Sequence, residues 1–268
     1  MAALSSPVKA DLFLLPVQTL WWREMLRFCR QRSRLTGALA QPLVFWLLLG
    51  SGLSGSFRPP GAPPGMGYGE YFYPGIIAMV LLFTAIFSTI AVVEDRREGF
   101  LQGVLVAPIG RTSIILGQAL GATTLALLQG LLFLALAPLA GIPLTGGAIA
   151  RVGAVAFLVA FGLVNLGLLI AWRLDSTQGF HAIMNLILLP MWFLSGAFFP
   201  AAGTPAWLEW AMRLNPLTYG VAGLRHSLYW GGAAAGSIPS FSLSLEVTVA
   251  FAVATFIAAT WAARRTAV

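Results

Sequence analysis

Few side chains in this sequence could take part directly in catalysis or bind a metal ion. The two histidines, His181 and His226, are far apart in the sequence, and neither stands beside a carboxylate motif of the kind that metal sites use. The single cysteine, Cys29, cannot form a disulfide within the chain. The only lysine is Lys9, and it does not follow a glycine-rich run as the lysine of a phosphate-binding loop does. We therefore expect no catalytic residue, no metal site and no cofactor bound by this chain.

One serine offers an enzymatic alternative. The run Gly52-Leu53-Ser54-Gly55 resembles the nucleophile motif of rhomboid intramembrane proteases, and His181 and Asn185 resemble a second element of that family. Ser54 lies near one end of its apolar segment, whereas His181 begins a later segment at the opposite membrane face, about 20 Å away at the rise of an α-helix. Because a general base must come within hydrogen-bond distance of its nucleophile, this separation argues against a protease.

The composition is that of a membrane protein. Hydrophobic residues make up 58% of the 268 residues and charged residues only 9%, whereas about a quarter of a soluble domain is charged. The net charge of +7 could indicate a nucleic acid or an anionic membrane as partner. Membrane orientation explains it better than nucleic acid does, because five arginines stand directly before the first long apolar run: Arg23, Arg27, Arg30, Arg32 and Arg34.

Six segments are long and apolar enough to cross a bilayer, which requires about 20 residues each. We predict an all-α integral membrane protein in which residues 1–268 form a single domain, with spans near 39–57, 74–93, 114–138, 152–172, 179–199 and 243–262. Both termini then lie on one side, and placing them in the cytoplasm puts 12 of the 16 basic residues inside. The moderately apolar segment 200–239 predicts short external helices between the last two spans.

The segment before the first span has two unlike faces. Trp22 lies with other apolar residues on one side of a helical projection, and Arg23, Arg27, Arg30 and Arg34 recur on the other side. This pattern predicts an amphipathic helix in the plane of the membrane, in contact with lipid.

The loop between the second and third spans combines charge with helical periodicity. Five charged residues, 94–98, precede apolar residues at helical spacing, including Phe100, Leu101 and Leu105. A short helix along the membrane could dock into a groove of a partner protein. A solvated loop carrying ordinary positive-inside charge is the alternative, and the pattern alone leaves both open.

The same loop resembles that of the type-two permeases of ATP-binding-cassette exporters, in particular the branch that exports drugs and antibiotics. The matching runs are Gly99-Phe100-Leu101 and Leu105-Val106-Ala107-Pro108, with Arg111 beyond them. A distant second match comprises Leu194-Ser195-Gly196, Phe199-Pro200, Leu214 to Tyr219 and Leu224-Arg225. Two positions depart from the family pattern: Gln102-Gly103 replaces a common charged pair, and Ala222 stands where an acidic residue is frequent.

The resemblance implies a permease that depends on separate ATPase subunits, which bind ATP and Mg²⁺, and that is not itself an enzyme. Two permease copies, expected to be identical, would join two ATPases in a bacterial inner membrane. The resemblance assigns contact with the ATPase to Glu94, Asp95, Arg96, Arg97, Glu98, Gly99, Phe100, Leu101, Leu105, Pro108 and Arg111. It assigns the neighbouring amphipathic helix to residues 21–34, including Trp22, Arg23, Arg27, Arg30 and Arg34.

The exported compound is expected to be hydrophobic or amphipathic, a drug or a lipid. Polysaccharides and lipid-linked glycans are alternatives, because related permeases carry them by the same mechanism. We expect the transport path to be contacted by residues of spans one, two and five: Phe45, Met79, Phe83, Phe87, Asn185 and Met191. An ion-coupled transporter is a further alternative. Such transporters usually keep ionisable residues near the bilayer centre, and none of the six spans does.

Overall fold

The computed structural model describes residues 7–30, 32–53, 66–106, 109–230 and 239–265. These residues are helical throughout, apart from short connections, as the apolar runs predict. The α-helices are α1 (Pro7–Arg30), α2 (Arg32–Gly52), α3 (Tyr68–Arg97), α4 (Phe100–Val106), α5 (Arg111–Leu134), α6 (Gly146–Ala171), α7 (Thr177–Phe193), α8 (Ala206–Leu214), α9 (Pro216–Leu228) and α10 (Phe241–Arg265). A short 3₁₀ helix, Ala137–Ala140, follows α5.

Helix α3 is the centre of the bundle. Its residues are apolar on every side over most of its length, and a helix of that kind is stable only when other elements cover it. It packs against α2, α5, α6, α7 and α9, and side chains such as Phe72, Ile76 and Leu81 are fully buried. Helix α10, by contrast, covers α6 with one face and leaves most of its apolar side chains wholly or partly exposed, as expected of a helix that faces lipid.

Four helices among the described residues are long and apolar enough to cross a membrane: α3, α5, α6 and α10. They correspond to the predicted spans 74–93, 114–138, 152–172 and 243–262, and each begins before the predicted first residue. The apolar part of α2, Ala40–Gly52, is shorter, and α7 has 17 residues. The structure therefore shows a multi-pass helical membrane protein. The count of six spans is not established by helix length, and Phe57, near the predicted end of the first span, lies outside the described residues.

Helix α7 ends well before residue 199, where the predicted fifth span ends. Gly196 adopts the left-handed conformation, with φ of 76°, which lets the chain reverse direction after Phe193. The ring of Phe198 then stacks on Phe193, at a centroid distance of 4.7 Å. Asn215, which caps α9, donates a hydrogen bond to the carbonyl of Met191. The two short helices α8 and α9 occupy the segment for which short helices are predicted.

Helix α1 packs along α5, at two glycines of α5 that allow close approach. A Cβ atom on Gly117 would lie 2.9 Å from the Cβ of Leu20, and one on Gly121 would lie 2.8 Å from the Cβ of Glu24. Larger residues there would push the helices apart. The predicted amphipathic segment 21–34 is shared by two helices: α1, which ends at Arg30 and packs on α5, and α2, which begins at Arg32 and packs mainly on α3. Arg34 therefore belongs to α2.

Candidate functional site

A tight corner joins α3 to the short helix α4. The corner is made by Gly99, whose φ of 79° is in the left-handed region that favours glycine. The Gly99 carbonyl accepts hydrogen bonds from the backbone N–H groups of Gln102 and Gly103, and these hydrogen bonds form the first turn of α4. Leu101 is buried against the bundle and fixes α4 in place. The predicted short helix therefore exists, and it lies next to the end of α3 because of this corner.

The acidic residues at the end of α3 are held by arginines of α1. Arg23 donates two hydrogen bonds to Asp95, of 2.7 and 2.6 Å, in a bidentate arrangement. Arg27 bridges two carboxylates, at 3.1 Å from Asp95 and 2.7 Å from Glu94. The hydrogen bond with Asp95 raises the pKa of Arg23, although partial burial acts in the opposite direction. We call Arg23, Arg27, Glu94 and Asp95 the α1–α3 charge cluster.

Arg96 makes a second set of contacts at the same end of the bundle. Its guanidinium donates a hydrogen bond of 2.8 Å to the carbonyl of Trp172 and pairs with Asp175 at 3.0 Å. These residues belong to the connection between α6 and α7. Sequence reasoning did not associate Asp175 with Arg96, because nothing in the local pattern links two charges 79 positions apart. The end of α3 is thus bonded both to α1 and to the α6–α7 connection.

Three residues of the predicted ATPase contact, Arg97, Glu98 and Phe100, lie on an exposed surface that also includes residues outside that prediction. Arg97, Glu98, Gln102 and Gly103 are exposed, and the side chain of Val106 is 78% exposed. Phe100 is partly exposed, with the Arg23 guanidinium 3.9 Å from the centre of its ring, a cation–π contact that ties α4 to α1. We call Arg97, Glu98, Phe100, Gln102 and Val106 the α4 surface.

The other residues predicted for the ATPase contact and the interfacial helix have different positions. Arg111 begins α5, and its Nη1 atom is buried without a hydrogen-bond partner among the described residues. Pro108 lies outside the described residues, and of Leu105 only the backbone is described. Trp22 is exposed on α1, its ring 6.1 Å from that of Trp21, and Arg30 is exposed at the end of α1.

The six residues predicted for the transport path do not form one surface in a single chain. Phe83 and Phe87 stack on one another along α3, and the His181 ring of α7 lies 6.3 Å from Phe87. Phe45 of α2 packs edge-on against Trp192, next to the half-buried Met191. Met79 is buried in the core, and Asn185 is exposed on the far face of α7.

Residues for the alternative chemistries are not assembled in the described part of the chain. Ser54 lies outside the described residues. The two histidines belong to different elements, and His226 Nε2 is 2.9 Å from the carbonyl oxygen of Pro239. No group of three His, Cys, Asp or Glu side chains comes together among the described residues, and the expected absence of a metal site stays a prediction.

One buried charge was not expected from the sequence. Arg225, which belongs to the segment 200–239 predicted to be external, is 4% exposed in the structure and extends from α9 to the start of α3. The available signal was its position in α9 among mostly apolar neighbours with no acidic residue close in sequence.

Taken together, several long apolar helices and an exposed short helix beside a charge cluster define a polytopic membrane protein with a surface suited to a partner protein. The profile of the ABC-2 type transporter family matches residues 16–229, and the chain belongs to that family. It is thus the transmembrane subunit of an ATP-binding-cassette transport system, a kind of subunit that works with an ATPase partner.

Named relatives agree with this assignment. The chain is 30% identical to ycf38 of Porphyra purpurea, whose name describes a transport permease, over 91% of this chain and 89% of the relative. It is 28% identical to nodulation protein J of Rhizobium leguminosarum bv. trifolii, over 70% of this chain and 71% of the relative. It is 23% identical to the daunorubicin resistance ABC transporter permease protein DrrB1 of Streptomyces coeruleorubidus, over 78% and 73%.

Proposed function

We propose that this permease exports a hydrophobic or amphipathic compound, a drug or a lipid, from the cytoplasm or inner leaflet of a bacterial inner membrane. In this proposal α2 and α7 also cross the membrane, which gives six spans with both termini in the cytoplasm. The permease binds no nucleotide, and ATP and Mg²⁺ bind to the partner ATPase. The name of the DrrB1 relative, which describes daunorubicin resistance, supports a drug more than a glycan.

The observation that carries the proposal is the structure of the α3–α4 end. Glu94, Asp95 and Arg96 are engaged within the chain, so they are not free to pair with another protein. They hold α1, α3 and the α6–α7 connection together beneath the α4 surface. A push on α4 by an ATPase would therefore reach three membrane elements at once. We propose that the α4 surface is the ATPase contact and that the α1–α3 charge cluster transmits the movement.

The ion pairs at the α3–α4 end determine which substitutions can test this proposal. Charge reversal at Glu94 would break its bond with Arg27, so a loss of ATPase binding in that variant would be ambiguous. Val106 is 78% exposed, so its substitution removes little packing with the described part of the bundle. Leu139 belongs to the 3₁₀ helix after the C-terminal end of α5, whereas Val106 precedes the N-terminal end of α5. The side chain of Leu139 is 77% exposed, so this residue is a matched control.

The first test compares Val106→Asp with Leu139→Asp. We expect purification from gently solubilised membranes to recover the ATPase with wild type and L139D. V106D should recover about tenfold less, because an aspartate in an apolar contact loses at least the 1.4 kcal/mol that corresponds to tenfold in affinity. Vanadate-sensitive ATP hydrolysis in the purified complex should fall in parallel. Equal recovery with V106D and L139D would place the ATPase contact elsewhere, and a wild-type chain that purifies alone would argue against ATP-driven transport.

A further inference from the structure

Arg225 carries a buried positive charge at the end of the bundle opposite the α1–α3 charge cluster. Its Nη2 atom donates hydrogen bonds to the carbonyls of Tyr71, at 3.2 Å, and Gly196, at 3.1 Å. Its guanidinium carbon lies 4.2 Å from the centre of the Tyr71 ring. None of the carboxylates whose side chains are described forms an ion pair with it, and residues 231–238, outside the described ranges, contain no Asp or Glu.

The bonding capacity of this guanidinium is only partly used. Its Nε atom is buried without a hydrogen-bond partner among the described residues. Two carbonyl dipoles and an aromatic ring offset part of the desolvation of the charge. A full charge removed from water nevertheless requires a counter-ion to be well compensated. The side chain is thus prepared for an anion that the chain itself does not provide.

A cavity leads to this side chain. Arg225 and Ala222 contribute to the wall of a small cavity of about 30 Å³, together with Ser195 and Pro200. This volume accommodates about one water-sized group. Four wall residues are shared with a larger cavity of about 460 Å³: Ala201, Met212, Thr218 and Pro239.

The larger cavity has the size and lining of a site for an organic molecule. Its volume of 460 Å³ is within the range of about 300–1,000 Å³ typical of ligand sites. Its wall is mainly apolar, with Met212 and Leu243, while Glu209, Arg213 and Tyr219 add polar groups. Arg213 is already paired with Glu209 at 2.6 Å, which leaves Arg225 as the uncompensated cation of the two cavities.

We propose that these two adjacent cavities bind an amphipathic anion, with its carboxylate or phosphate oxygens at Arg225 and its apolar part in the larger cavity. Arginine suits this role because its planar N–H donors match both kinds of oxyanion. Ala222 lies one helical turn before Arg225 and keeps the small cavity open. An acidic side chain at position 222 would place a permanent counter-ion there and exclude the ligand.

The experiment uses the full chain in neutral detergent and titrates it calorimetrically with dodecanoate, dodecyl phosphate and uncharged dodecanol. The matched variants are Ala222→Asp and Ala222→Asn, which have nearly the same shape and differ in charge. We expect wild type to bind at least one of the anions about tenfold more tightly than dodecanol, the effect of hydrogen bonds to a charged group, and A222N, which fills the same space without adding a charge, to keep part of that preference. A222D should lose that preference while keeping its affinity for dodecanol.

Two further comparisons make the outcome decisive. Adding phosphatidylglycerol to the micelles distinguishes the source of the anion: if it displaces the alkyl anions, a membrane lipid is the ligand, and otherwise a soluble amphipathic carboxylate or phosphate is. Equal affinity for anions and dodecanol in wild type would overturn the proposal, as would an unchanged anion preference in folded A222D. If A222D does not fold, the comparison of the anions with dodecanol in wild type still decides the proposal. Binding requires no ATPase, so the result is independent of the function proposed above.

Discussion

At the scale of single residues, Asp95 connects two arginines of α1 to the end of α3. It is 2% exposed and accepts three charged hydrogen bonds, two from Arg23 and one from Arg27. Both arginines keep some access to water, with side-chain exposures of 29% and 21%. The interaction of Asp95 with the two arginines is therefore intermediate between a buried salt bridge, which is costly to break, and a surface pair, which contributes little to stability.

Removing the charge of Asp95 should destabilise the docking of α1. We expect Asp95→Asn to lower the free energy of unfolding by about 2 kcal/mol, less than the 3–5 kcal/mol typical of a fully buried pair because the arginines can be rehydrated. Glu98→Gln is the control, since Glu98 is exposed and surface substitutions usually stay within about 0.5 kcal/mol. Thermal unfolding in neutral detergent measures both variants, and equal midpoints would show that the cluster contributes nothing to stability.

The sequence identified the residues of this cluster but not their pairing. Charges at positions 94–98 and arginines before the first span are visible in the pattern, because the positive-inside rule and helical periodicity are local properties. The bond between Arg23 and Asp95 joins residues 72 positions apart. It forms only because α1 packs on α5 and thereby comes beside α3, a tertiary arrangement that neither segment specifies alone.

At the scale of elements, the packing of α1 depends on the glycines of α5. A Cβ on Gly117 would lie 2.9 Å from the Cβ of Leu20 and 3.0 Å from the carbonyl oxygen of Val17, and that backbone oxygen cannot simply rotate away. Gly117 and Gly121 have the small-xxx-small spacing of packed helices, which does not by itself identify the partner helix. The structure shows that α1 is the helix that they admit.

This contact gives a second stability prediction. We expect Gly117→Ala to destabilise the protein by about 1–3 kcal/mol, the usual range for overpacking, because α1 must shift away from α5. Gly153→Ala is the control in another membrane helix, where the new Cβ would meet only Leu131 at an ordinary 3.9 Å. Limited proteolysis of α1 together with the unfolding midpoint measures the effect. A G117A protein as stable and as resistant as G153A would mean that α1 is not held by this contact.

The ends of helices were harder to predict than their existence. Apolar runs indicate α3, α5, α6 and α10, because an apolar segment in lipid must satisfy its own backbone hydrogen bonds and does so as a helix. The end of α7 depends instead on the left-handed Gly196 and on the hydrogen bond from Asn215 to Met191. Both features involve the segment that follows α7. In the sequence, hydrophobic residues continue to Phe199, so the apolar pattern does not reveal where the helix ends.

At the scale of the whole molecule, one face of α7 is not covered by any of the described residues. A single stripe of α7 packs on the bundle through Phe180, Met184, Leu188 and Trp192, all at most 1% exposed. The opposite face exposes Leu186 and also Asn185. Lipid can cover leucine, but it cannot satisfy the amide of an asparagine. A second copy of the chain can satisfy it, because a two-fold axis beside α7 would bring two Asn185 side chains together.

A disulfide test in the membrane distinguishes these two environments. Starting from Cys29→Ser, Ala182→Cys places a thiol on the exposed face of α7, one turn from Asn185, whereas Val253→Cys places one on the exposed face of α10. Under mild oxidation we expect A182C to form a covalent dimer and V253C to stay monomeric, because two thiols join only when their Cα atoms come within about 7 Å. Cross-linking of V253C with none of A182C would instead place the second copy against α10 and leave α7 in contact with lipid.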